Sequence, residues 1–180
     1  TYLGYELRVD GEIGDNQRRF VIAISKAAHV KDAFRVGDVI RGQSSLVADP
    51  RLEHAEFYKT VQLKVIERSE RPTAKPPPWQ DAPPDLETYR ERGHRRLDPR
   101  TYEAKCWSCM WGCKMAVEMI VDQWNPNEKR HRFETFCYGP KSCAFYKAGA
   151  TRRAPGRKGM VWEEEDWVDE ETTAHRGMDA

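Results

Sequence analysis

Along the first third of the chain, apolar and polar side chains trade places at almost every step. Tyr5-Glu-Leu-Arg-Val-Asp-Gly-Glu-Ile13 alternates, Arg19-Phe-Val-Ile-Ala-Ile24 is rich in β-branched residues, and Gly14-Asp-Asn-Gln17 between them has turn chemistry, so a hairpin is predicted. Phe34 to Gln43 and Glu56 to Ile66 read as two further strands. In the last of these Phe57, Lys59, Val61, Leu63 and Val65 share one face and Tyr58, Thr60, Gln62 and Lys64 the other, which implies one buried side.

The pattern breaks after Arg68. Ser69 to Asp85 holds six of the eleven prolines, which rules out helix or central strand and predicts a semi-rigid polyproline II spacer. A Pro-rich ligand for a protein partner is the alternative reading, while in the spacer reading Trp79 packs back on a neighbour. Leu86 to Pro99 reads as a short helix ending near Gly93 and Pro99; its Arg90, Arg92, Arg95 and Arg96 alternate with Glu87, Glu91 and Asp98, as on a solvated face.

Further on, Lys114 to Trp124, the turn residues Asn125-Pro-Asn-Glu128, and Arg130 to Tyr138 predict a second hairpin, centred on Pro126 and Asn127. That register sets Cys137 opposite about Ala116 and Cys143 near Met110. A helix competes for residues 113–124, because Val117, Ile120, Val121 and Trp124 fall at i, i+3, i+4 and i+7.

All five cysteines lie in this region: Cys106-Trp-Ser-Cys109, Cys113, and Cys137-Tyr-Gly-Pro-Lys-Ser-Cys143. Two thiolates spaced by two residues can be aimed by one tight turn at a single soft ion, and a second pair downstream completes four ligands. The first residues carry no basic segment followed by an apolar one, and no apolar run approaches the ~20 residues that span a bilayer. A reducing cytoplasm and no membrane partner are therefore expected, where clustered thiols are more often ligands than bridges.

Two resemblances refine the picture. Phe34-Arg-Val-Gly-Asp-Val-Ile-Arg-Gly42 resembles the third-strand region of small OB-fold barrels, which implies a barrel over about residues 3–68 whose face binds oligonucleotides. The cysteine hairpin resembles a zinc ribbon, which implies Cys106 and Cys109 in the first knuckle and Cys137 and Cys143 in the second. It departs from that pattern in its five-residue second spacing and in Cys113, an alternative ligand. If residues 113–124 were helical, Cys106, Cys109 and Cys113 would instead form a trio closer to iron–sulfur ligation, in a redox protein or enzyme subunit.

Net charge is only +1, with 33% charged residues, so no global attraction to polyanions exists. Local charge differs: Lys141, Lys147, Arg152, Arg153, Arg157 and Lys158 lie in a stretch without an acid between Glu134 and Glu163, beside Phe145 and Tyr146. Cations with adjacent rings suit single-stranded nucleic acid, RNA above all. The acidic run Glu163 to Glu171 can neutralise the loop or recruit a partner, and Thr172 to Ala180 is expected to be disordered. No phosphate-cradling glycine loop, His-Glu-x-x-His helix or Gly-x-Ser-x-Gly elbow is present, and a Cys113 or Cys143 dyad with His131 is the sole nucleophilic arrangement to consider.

The expectation is thus a mainly β protein. An OB-like β-barrel (1–68), a Pro-rich linker with a short helix (69–100), a metal-stapled cysteine hairpin (101–148) and a basic loop with an acidic tail (149–180) would form a non-catalytic zinc protein that binds nucleic acid.

Overall fold

The computed structural model describes residues 4–70, 77–122, 124–164 and 167–177. Residues 71–76 of the predicted polyproline spacer and 178–180 of the predicted disordered tail lie outside them. The chain is mainly β and divides into two units, Thr1–Ala74 with Gln80–Pro83, and Lys75–Trp79 with Pro84–Ala180. Among the described residues no helix is long and apolar enough to cross a membrane.

In the first unit β1 (Tyr5–Ile13) and β2 (Asn16–Ile24) pair antiparallel without a break from Tyr5↔Ile24 to Ile13↔Asn16. Gly14, at φ 59°, makes the left-handed turn between them. Tyr5, Leu7 and Val9 thereby lie opposite Ile24, Ile22 and Phe20, and this face closes on Phe34 and Phe57 to form the core. Helix α1 (Lys26–Asp32) starts at Ser25, whose hydroxyl accepts the Ala28 N–H, and leads to β3 (Val39–Leu46) and β4 (Phe57–Glu67). Strand β4 pairs antiparallel with β3 and parallel with β2 at Ile22↔Phe57, giving the order β1-β2-β4-β3.

The Phe34 to Gly42 phrase turns on Asp38. Its carboxylate accepts the backbone N–H groups of Arg35 (2.9 Å) and Ser69 (2.8 Å) and pairs with Arg68 (2.9 Å), tying the entry to β3 to the exit of β4.

The expected barrel is corrected here. Among the described residues β1 and β3 are free edges, and four strands are too few to wrap around a core and meet. The β3–β4 ladder is also irregular, with three register shifts and positive φ at Lys59 and Gln62.

The second unit is built on β5 (Arg95–Arg96), β6 (Gly112–Ile120) and β7 (Lys129–Cys137), in the order β5-β7-β6. Residues 113–120 are strand, not helix. The register pairs Gly112 with Cys137 and Cys113 with Phe136, four residues away from the expected alignment, because the connection Val121–Glu128 is centred between residues 124 and 125 and not on Pro126 and Asn127. Helix α2 (Leu86–Arg92) is capped by Asp85 and ends at Gly93, where φ is 66°.

Pro99 opens a helix instead of closing one. It stands at the first position of the short α3 (Pro99–Thr101), behind the Asp98 cap, and α3 runs into a π-helical turn over Tyr102–Cys106.

The expected loop and tail also acquire structure. Strands β8 (Arg152–Pro155) and β9 (Val161–Glu164) form a hairpin, and α4 (Trp167–Thr173) follows. Asp169 of α4 accepts the Arg96 backbone N–H (2.8 Å) and pairs with its guanidinium (3.1 Å), while Thr173 and Arg176 are buried. The pairing of buried Arg96 with half-buried Asp169 thus fixes to the sheet a segment that its composition alone would leave in solvent.

Candidate metal centre

Two turns carry the thiols. After the π-helical turn, Cys109 N–H bonds Cys106 O (3.0 Å) and Gly112 N–H bonds Cys109 O (3.0 Å), so the chain reverses tightly between Cys106 and β6. Gly112 is required there: a Cβ would lie 2.4 Å from Cys106 O. Across the hairpin Cys137 ends β7, and the Pro140–Tyr146 turns bring in Cys143.

Cys106, Cys109 and Cys137 are buried in one cluster with Leu97 and Tyr102, covered by Trp79, Trp107, Trp111, Phe145 and Tyr146. All five cysteines are free thiols, Cys113 and Cys143 being half-buried.

Burial pushes the Cys106 thiol up to about 12, with further contributions from Cys137, Cys109 and Cys143. Cys109 and Cys137 are raised by burial too, against backbone N–H groups that favour their thiolates: those of Trp111, Trp79 and Gly112 at Cys109, and that of Gly139, 3.4 Å from the Cys137 sulfur. The four predicted ligands therefore act on one another. Cys113 instead sits opposite Phe136 and adds to the burial that lifts Tyr138 to about 12.

Among the described residues no three His, Cys, Asp or Glu groups stand at ligating distance around one point, so the sulfurs are neighbours without forming a closed cage. Their chemistry suits a thiophilic ion: four sulfurs, backbone N–H donors and an aromatic cover.

The predicted nucleic-acid residues are mostly engaged within the unit. Phe145 and Tyr146 pack on the thiol cluster, and the Tyr146 hydroxyl donates to Arg96 O (3.0 Å). Arg152 pairs with Glu134 (2.7 Å), Arg153 with Glu163 (2.9 Å) and Arg157 more loosely with Asp122 (3.9 Å), while Lys141 Nζ donates to Arg176 O (3.3 Å). Lys147 accepts the Asp98 N–H on its carbonyl, and Lys158 sits at positive φ between β8 and β9. The Cys113–His131 dyad is excluded by register: His131 lies opposite Glu118, five positions along β7 from the partner of Cys113, or about 16 Å.

Three arginines escape any reading of the sequence as a surface helix. Arg92 Nε donates to Tyr138 O (2.6 Å), Arg95 Nη2 to Pro140 O (3.0 Å), and Arg176 Nη1 to Tyr138 O (3.1 Å) and Gly139 O (3.2 Å). All three grip the three residues after Cys137. The Gly93 break between Arg92 and Arg95 was a local signal that the helix face ended there; nothing in the sequence links them to Arg176.

Comparison with protein family models, with curated proteins and with solved structures found no match.

Proposed function

We propose that this chain is a non-catalytic, metal-stabilised protein that binds RNA or single-stranded nucleic acid, with one Zn²⁺ held by Cys106, Cys109, Cys137 and Cys143. The observation carrying the metal reading is the meeting of two cysteine turns in one apolar cluster, three of its thiols buried and the fourth close enough to perturb them. Neutral thiols gain little from such company. An ion that displaces their protons joins two stretches of chain about thirty residues apart, and structural zinc supplies roughly 10–16 kcal/mol to small domains of this kind. Side-chain rotation of the four cysteines closes the cage in this reading.

Nucleic-acid contact fits the β3–β4 face better than the β8–β9 hairpin. Arg41, Gln43, Gln62 and Lys64 line an open depression of about 260 Å³ with Gly42 and Ile66, and its lining includes no carboxylate. Two cations for phosphates and two amides for base edges are what this reading requires.

Elemental analysis of the purified chain is expected to give one zinc per molecule; a brown, broadly absorbing protein containing iron would replace zinc with an iron–sulfur cluster on the same thiolates. Anisotropy with a single-stranded RNA should show salt-sensitive binding, and R41A/K64A should weaken it and lower the salt slope by about two. Unchanged binding in that variant rules out the β3–β4 face as the contact surface.

A further inference from the structure

Arg92, Arg95 and Arg176 present a charge problem. Among the described residues none of them pairs with a carboxylate, although Arg96 beside them does. Arg176 is only 7% exposed, and Nη2 of Arg92, Nε of Arg95 and both Nε and Nη2 of Arg176 are sealed from solvent without a hydrogen-bond partner. The guanidiniums of Arg92 and Arg95 rest on the Trp111 and Tyr146 rings, at 4.5 and 3.8 Å from the centroids.

Such ring contacts offset only part of the cost of removing an ion from water. The backbone carbonyls of residues 138–140 add dipoles but no charge. An external anion is a poor candidate for the missing partner, because atoms that a water cannot touch leave no room for a phosphate. The counter-charge has to come from within the fold.

The group on which all three arginines act is Cys137 of the thiol cluster, neutral as a thiol and anionic once an ion displaces its proton. The carbonyls that accept these guanidiniums belong to the residues immediately after Cys137, and the Gly139 N–H in the same loop donates to the Cys137 sulfur. Four thiolates around a divalent ion carry two net negative charges; four neutral thiols carry none.

We infer that Arg92, Arg95 and Arg176 are the built-in counter-ions of a dianionic four-thiolate metal centre, setting how tightly the ion is held. This rests on the metal reading above. It also gives the C-terminal segment a role, since Arg176 reaches the centre from beyond α4 and its docking completes the charge balance.

The test is zinc affinity of the full chain by competition with a chromophoric chelator. Wild type is measured first, then R176M and R95M, which keep bulk and remove charge, and R176K, which keeps charge. R176M and R95M should bind zinc about 10- to 100-fold more weakly, the range found when groups supporting metal ligands are removed, with R176K restoring most of the loss. Zinc held by both methionine variants as tightly as by wild type overturns the inference while leaving the metal centre standing. R176K as weak as R176M overturns it too, since the loss is then one of packing. A wild-type chain that binds no zinc overturns the metal reading and this inference together.

Discussion

Gly112→Ala is the most direct probe of the cysteine turn. A Cβ at this position would stand 2.4 Å from Cys106 O and 3.3 Å from Cys106 C and Cβ, and real Cβ atoms essentially never come closer than 3.0 Å. The obstacle is backbone, so Cys106 and the start of β6 must part by at least about 0.6 Å. Zinc–sulfur distances hold to within about 0.2 Å, so a backbone shift of this size at Cys106 has to be made up by strained side-chain rotation within the ligand set. Overpacking of this kind also costs about 1–3 kcal/mol of stability. All six tryptophans lie at or beyond Trp79, and Trp107 and Trp111 pack on the thiol cluster, so urea unfolding followed by tryptophan fluorescence reads this unit directly. The expected result is an earlier unfolding midpoint and zinc affinity at least about tenfold lower. Gly177→Ala, where a Cβ meets nothing within 4 Å, serves as the control. If Gly112→Ala unfolds at the wild-type midpoint and keeps wild-type zinc affinity, the turn does not position Cys106 as argued.

Two further outcomes are expected. Burial opposes ionisation of Asp38, but the Ser69 and Arg35 N–H groups and the Arg68 charge outweigh it, so its folded pKa lies below the unfolded value of 3.8. Its contribution is then complete above that value and lost as pH falls through the depressed folded one; Asp38→Asn should cost about 2 kcal/mol at neutral pH and little at strong acidity, measured by far-UV circular dichroism, and an equal loss at both pH extremes would contradict the assignment. Asp169→Ala removes the carboxylate partner of the Arg96 guanidinium, which keeps its bond to Ala150 O (3.2 Å), and should destabilise the second unit by about 1–3 kcal/mol, with faster proteolysis after residue 166; unchanged protease resistance would mean that α4 is held by other contacts.

Strands with one apolar face were legible because alternation is local: β1, β2 and the hairpin of β6 and β7 are written in neighbouring residues, whereas in β4 the positive φ at Lys59 and Gln62 breaks the expected alternation and leaves Val61 exposed. The helical spacing of Val117, Ile120, Val121 and Trp124 misled because Val121 and Trp124 lie beyond the strand, in the connection that also moved the register by four. Barrel closure was not legible, since it depends on whether two edges meet. The thiol pairs were visible as spacing. Their arginine neighbours were not, because what sets Arg92 and Arg95 beside Arg176 is the docking of α4, a contact between opposite ends of the unit. The same long-range pairing turned Arg152 and Arg153 from free loop cations into partners of Glu134 and Glu163.

The docking of α4 also orders events in time. Arg96 and Asp169 are separated by 73 residues, and His175 bonds the carbonyl of Glu91 across 84. During synthesis the strands before residue 70 can pair as soon as they emerge, whereas the cysteine-bearing half must wait until residues 169–176 have left the ribosome before its sheet gains this cover. Until then its aromatic and sulfur-rich interior stands open, the interval in which a nascent chain of this design is most exposed to oxidation and to chaperones.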